Sequence, residues 1–152
     1  MLDLFDELTA VLSAFEADGV EYALCGGLAM AAWGVPRATI DIDVLIQPNA
    51  LDQALASVRP LGFVIRARPM DFSNGAISIR RVSKPDVPGG DVLMLDFMLV
   101  TPAIEDVWDD RQRLEWDRGV LIVVSKEGLI KLKTFRSSGR DLDDIALLRG
   151  ES

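Results

Sequence analysis

Residues 22–46, YALCGGLAMAAWGVPRATIDIDVLI, restrict the possible folds more than any other part of the chain. A short apolar run ends at Gly26-Gly27, an alanine-rich stretch follows, and Asp41-Ile42-Asp43 opens a second apolar run. The pattern predicts a strand, a glycine turn, a short helix and a second strand. Gly34-Val35-Pro36 ends the helix, because proline drives the residue before it out of the helical region. In the second strand, Ile40, Ile42, Val44 and Ile46 share one face, while Asp41, Asp43 and Leu45 share the other. That second face is polar only where it begins. Two carboxylates therefore stand at one end of a largely buried strand, with Cα atoms roughly 6.5–7 Å apart.

The remaining periodicities supply the rest of the architecture. Leu4, Phe5, Leu8, Val11, Leu12 and Phe15 recur at helical spacing, predicting a helix over 2–17 with Asp3 and Asp6 in its first turn and Gly19 beyond its end. Residues 22–25 read as a strand, 28–33 as a helix and 40–46 as a strand. A helix is expected over 51–61, then strands over 63–68 and 76–82 around residues 71–75. KPDVPGG, residues 84–90, reads as a loop. Residues 92–100 form another apolar strand with Asp96 its one charge. One helical turn is expected over 104–108, and a hairpin over 113–116 and 120–124 turns at Asp117-Arg118-Gly119. Ser125 caps a helix with Gly128 near its start. The stretch 129–148 is helical, with a break over 137–139. Strands and helices in this order predict an α/β (α+β) class, a mixed β-sheet flanked by helices. We expect a single domain over 1–152, with sheet and helices over 1–124 and C-terminal helices over 125–152.

Composition removes several chemistries. The 152 residues contain no histidine and one cysteine, Cys25. That excludes imidazole bases and Ser-His triads, and argues against a tetrahedral zinc site. Acid, base or metal chemistry then falls to carboxylates, lysine or tyrosine. Cys25, in an apolar strand, reads as packing. One cysteine allows no internal disulfide and fits a reducing, cytoplasmic location. No apolar run reaches the ~18 residues of a membrane span. The acidic, amphipathic start is not a targeting peptide. A net charge of −8 disfavours bulk duplex nucleic acid as a partner.

Like charges as close as Asp41 and Asp43 repel, and a hard divalent cation such as magnesium relieves the conflict. The plainer alternative is a solvated strand edge or a pair with Arg37; the apolar strand beyond favours the metal. Asp96 has two readings as well. It forms a buried pair with Lys133 or an arginine, or it lies on a strand beside Asp41 and Asp43 and completes a three-carboxylate site. We take the second, which leaves room for two metals roughly 3.5–4 Å apart. Gly26 and Gly27 let phosphate approach the backbone without a Cβ clash. Arg37 and Thr39 lie between helix and carboxylates, where Arg37 could neutralise phosphate oxygens. Lys131, Lys133, Arg136 and Arg140 mark the C-terminal helices. Lys133, beside Leu129, Ile130 and Leu132, is the candidate triphosphate lysine. Arg66, Arg68, Arg80, Arg81 and Lys84 read as a solvated basic group able to orient an acceptor.

Together, GGLAMAAWGVPRATIDIDVLI, LDFML and GLIKLKTFRSSGRDLDDIALL resemble the DNA polymerase beta-like nucleotidyltransferase superfamily. The likeness is greatest to its minimal bacterial branch, which includes AbiEii-type toxin nucleotidyltransferases. The resemblance implies that Gly26 and Gly27 cradle nucleotide phosphates. It implies that Asp41, Asp43 and Asp96 hold two Mg2+ ions (Mn2+ in their place), with Asp96 also taking the acceptor's proton, and that Lys133 contacts the triphosphate. The implied reaction transfers a nucleotidyl group from an NTP, such as ATP, to a hydroxyl of a tRNA, a protein or a small molecule, with release of pyrophosphate. An antitoxin partner is implied for the toxin branch. Two departures stand out: the turn reads Gly-Gly-Leu-Ala where many members carry serine, and Trp33 occupies the place of a histidine common in close relatives. The missing serine, with the short C-terminal segment, motivates a rival reading, a catalytically inactive nucleotide-sensing or protein-interaction module.

Overall fold

The computed structural model describes residues 3–35, 41–86, 90–136 and 139–150, the side chains of Asp86 and Arg140 excepted. Helix α1 (Leu4–Asp18) starts on Asp3, whose carboxylate accepts the Phe5 and Asp6 N–H groups at 3.0 Å each. It stops at Gly19, whose φ of 70° is a left-handed conformation that glycine adopts without strain. Strand β1 (Ala23–Cys25) runs into α2 (Gly26–Ala32) with no intervening turn. The glycine pair expected to form a turn is therefore the first step of the helix. β2 (Asp41–Ile46), α3 (Leu51–Val58), β3 (Ile65–Arg66) and β4 (Met70–Phe72) follow. Then come β5 (Ile77–Asp86), β6 (Asp91–Leu99), α4 (Glu105–Asp109), β7 (Gln112–Trp116), β8 (Gly119–Val123), α5 (Lys126–Arg136) and α6 (Gly139–Leu148).

The strands form one mixed sheet in the order β3-β5-β6-β2-β1-β8-β7, with β4 also pairing with β5. β2 lies parallel to β6 and antiparallel to β1; β1 lies parallel to β8; β5–β6 and β7–β8 are antiparallel hairpins. Helices cover both faces. On one, Phe15 of α1 packs on Phe97 of β6 and on Tyr22, with ring centroids 6.0 and 5.9 Å apart. Leu8, Val11, Val44, Leu95, Ile104 and Val123 belong to the same continuous core. No helix among the described residues is long and apolar enough to cross a membrane.

Sequence and structure differ at three further places. The 84–90 loop is shorter than expected, because β5 continues to Asp86 and β6 begins at Asp91. Pro85 is tolerated there because β3 pairs with β5 only as far as Ser83, so a missing N–H on that side breaks no ladder. The strand expected over 63–68 contracts to two residues, and Met70–Phe72 adds a strand where a connection was expected. The helix expected over 51–61 becomes α3 and a single tighter turn, Arg59–Leu61, with Pro60 near its start. The C-terminal stretch divides into α5 and α6 where the spacing predicts it.

Candidate active site

Register builds the site. Asp43 of β2 lies directly beside Asp96 of β6; Asp96 lies beside Arg81 of β5 on its other flank; Cys25 of β1 lies beside Asp43. Lateral partners in a sheet point to the same face, at strand spacings of about 4.8 Å. Arg81, Asp96, Asp43 and Cys25 thus form a row across four strands, and Asp41, two residues from Asp43, shares its face. Phe97 points the opposite way, toward α1. The carboxylates accordingly occupy the face away from α1.

Gly26 is fixed by Asp43. Its φ is 76°, and a Cβ there would stand 2.7 Å from Asp43 Cγ and 2.8 Å from Asp43 Cβ, well inside contact distance. Any side chain would displace the carboxylate. The start of α2 and the β2 carboxylate therefore touch because residue 26 lacks a Cβ. Gly27, the next residue, is in the first turn of α2.

Electrostatics follow from this crowding. Burial, then Asp96, then Asp41 push the Asp43 carboxyl from its ordinary 3.8 up to about 7. Burial and Asp96 raise Asp41 as well, with Arg81 opposing. Burial raises the Cys25 thiol well above its ordinary value, with Asp43 adding to the effect, so Cys25 is a packed thiol and not a nucleophile.

Asp96 is buried at 6% exposure and held by a two-pronged bond: Arg81 Nε donates to Oδ1 at 2.7 Å, and Nη2 to Oδ2 at 3.0 Å. The buried pair with an arginine is formed, and Asp96 also lies on the strand beside Asp43, as the other reading places it. The fork draws the carboxylate toward β5, on the side opposite β2. Among the described residues, no group of three Asp, Glu or Cys side chains is gathered tightly enough to hold a metal ion. The three aspartates share a face without closing on one point.

Lys133 lies on the side of α5 that faces this region, and its charge reaches Cys25, as that of Arg136 reaches Asp43. Its Nζ donates to Asp144 Oδ2 at 2.8 Å and lies 3.8 Å from Asp141 Oδ1, both carboxylates of α6 being buried. Arg136 Nε stands 3.5 Å from Asp141. Arg37 and Thr39, expected near phosphate, lie outside the described residues. Trp33 is not a vacant replacement for histidine: its Nε1–H donates to the Val124 carbonyl at 2.8 Å, tying the end of α2 to the β8–α5 junction.

Of the basic group expected to be solvated, Arg66 and Arg68 are exposed, and the other three need correction. Arg81 pairs with Asp96, Lys84 with Glu7 at 2.7 Å, and Arg80 lies 3.6 Å from Asp71. Sequence reasoning missed Arg81, Asp141 and Asp144 as partners within the site. The two α6 aspartates carried a signal, since i and i+3 carboxylates share a helix face toward a preceding lysine helix. Arg81 carried none without the β5–β6 register. Clefts of about 200 and 680 Å3 lie along α1 and the β7–β8 hairpin, and neither is lined by the three aspartates.

The fold, a mixed sheet with flanking helices, matches that of solved nucleotidyltransferase-like structures. The chain is similar in structure to the lincosamide antibiotic adenylyltransferase LnuA in its lincomycin-bound form, with TM-score 0.62 and 16% identity over 97% of each chain. It is similar to a candidate nucleotidyltransferase of Thermotoga maritima, with TM-score 0.66 and 16% identity over 96% of this chain and 90% of that one. It also resembles ANT(2")-Ia in complex with adenylyl-2"-tobramycin, with TM-score 0.61 and 16% identity over 94% and 86%. The sequence matches no protein-family model and no curated protein.

Proposed function

We propose that this chain is a nucleotidyltransferase that moves a nucleotidyl group from a nucleoside triphosphate, ATP being the first candidate, to a hydroxyl group, releasing pyrophosphate. The carrying observation is the lateral pair Asp43–Asp96, with Asp41 on the same face and Gly26 packed on the Asp43 carboxylate. We favour a small-molecule acceptor over a tRNA or a protein. The chain spans 97% and 86% of two similar proteins whose structures hold lincomycin and an adenylylated tobramycin.

Asp41 and Asp43 suit magnesium, or manganese, by donor chemistry. They are hard oxygen ligands whose mutual repulsion a cation relieves, and the Asp43 carboxyl is raised chiefly by burial, with Asp96 and then Asp41 adding to it. When bound, the cation offsets negative charge on the triphosphate and on the departing pyrophosphate. This chain's residues do the remainder. Gly26 and Gly27 present backbone N–H groups to the phosphates, the Cβ side of Gly26 being taken up by the Asp43 carboxylate. Asp96 takes the acceptor's proton as the hydroxyl oxygen bonds to the α-phosphorus and the bond to pyrophosphate breaks. Lys133 shifts from Asp144 to the triphosphate. Arg37 and Thr39 complete the set in this reading.

A second reading, a catalytically inactive nucleotide-sensing or protein-interaction module, is favoured by one observation: Arg81 and Lys133 are already matched by carboxylates of the chain itself. Nothing among the described residues favours the toxin role or an antitoxin partner. Mass spectrometry of protein, Mg2+ and mixed NTPs incubated with hydroxylated antibiotics, tRNA and a protein extract separates these readings. Transfer is expected to a small molecule, and to be lost in Asp41→Asn and Asp43→Asn. Nucleotide binding without turnover across all acceptor pools supports the inactive module.

A further inference from the structure

Asp96 stands in a middle strand with an acid on one flank and a base on the other. Asp43 is its partner on β2, and Arg81 its partner on β5. Both carboxylate oxygens are engaged by the Arg81 fork, at 2.7 and 3.0 Å. A bidentate guanidinium fixes the plane of the carboxylate as well as its direction. Because β5 and β2 lie on opposite sides of β6, every ångström that the carboxylate leans toward Arg81 takes it from Asp43. The three aspartates, though they share one face, form no group able to hold a metal.

We propose that Arg81 is a positioning residue that acts as an internal counter-cation: it holds Asp96 outside the cation-binding set until a divalent ion draws the carboxylate across toward β2. The proposal rests on the reading of Asp41 and Asp43 as cation ligands. It assigns the β5 arginine a role in setting how tightly the site loads its cation. Arg81 is about one-third exposed, so its guanidinium has solvent to move into when the fork opens.

The test measures Mn2+ binding by electron paramagnetic resonance, with no nucleotide and no turnover, in wild type, Arg81→Met and Arg81→Lys. Unfolding of each is followed with and without Mn2+. Losing one positive charge beside the ligands is expected to tighten Mn2+ binding roughly tenfold in Arg81→Met. Arg81→Lys keeps the charge but cannot make the fork, and is expected to fall between the two. Arg81→Met should unfold at a lower temperature than wild type in chelator, with the gap closing as Mn2+ is added. A merely structural arginine would leave that gap unchanged. Unchanged or weaker Mn2+ binding in both folded variants overturns the proposal. Should Arg81→Met not fold, Arg81→Lys with wild-type affinity overturns it alone. Folded wild type that binds no Mn2+ overturns the underlying cation reading instead.

Discussion

Asp43→Asn should make the cation-free protein more stable while abolishing its activity. Burial, with Asp96 and then Asp41 adding to it, lifts the Asp43 carboxyl from 3.8 to about 7 in the folded chain. A raised carboxyl pKa means that folding favours the protonated form. Its contribution to stability is intact below the unfolded value near 3.8 and is lost as pH rises through about 7. A tenfold weakening of acidity corresponds to about 1.4 kcal/mol, so ionised Asp43 costs the metal-free fold about 4 kcal/mol at pH 8. Asparagine keeps the shape beside Gly26 and carries no charge. In chelator at pH 8, the variant should gain up to about 4 kcal/mol in urea unfolding, or roughly 10 °C in Tm. Near pH 4 the gain should disappear. Magnesium should narrow the gap at pH 8, since wild type at a hundredfold excess over Kd gains about 2.7 kcal/mol that the variant lacks. A variant no more stable than wild type at pH 8, or a gain that persists unchanged to pH 4, would refute the reasoning.

Other substitutions probe the supporting structure. Gly26→Ala combines a left-handed backbone, costing about 1–2 kcal/mol, with overlap on the Asp43 carboxylate, and should lower stability by about 3 kcal/mol in thermal unfolding; an unchanged Tm would contradict the contact. Lys133→Met strips buried Asp141 and Asp144 of a cation and should cost about 3 kcal/mol in denaturant unfolding. Adding Asp144→Leu should recover part of that stability while NTP affinity, read by calorimetry, stays weak. Trp33→Phe removes the bond to the Val124 carbonyl and should cost about 1 kcal/mol in unfolding, with little change in the cation affinity of Asp41 and Asp43.

Element types and the placement of the acids were legible because both follow from local periodicity. The alternation of Ile42 and Val44 with Asp41 and Asp43 put the acids on one face, and a charge inside LMLDFMLV marked a strand that one of its two readings set beside them. The apolar stripe of α1 and the division between α5 and α6 were likewise written in spacing and glycine. What sequence could not supply was register. The pairing of residue 81 with 96 depends on how far the β5–β6 hairpin extends, and the proline- and glycine-rich 84–90 segment concealed that extension. Arg81 therefore read as a solvated residue. Lys133 posed a similar problem: its spacing placed it at the core's margin, but only the packing of α6 on α5 shows that Asp144 and Asp141 meet its charge. Trp33 read as a departure from a family pattern, whereas its indole N–H fills a specific role across 91 residues of sequence.

In the proposed function, carboxylates of β2 and β6, with the start of α2, make a cation-dependent nucleoside triphosphate site. Isothermal titration of a non-hydrolysable ATP analogue into wild type and Asp43→Asn, with Mg2+ and with chelator, tests it most directly. Binding in wild type that requires Mg2+, and that vanishes in a fully folded Asp43→Asn, is the predicted result. Equal binding in all four titrations, or none in folded wild type with Mg2+ and each of the four common nucleoside triphosphates, would contradict it.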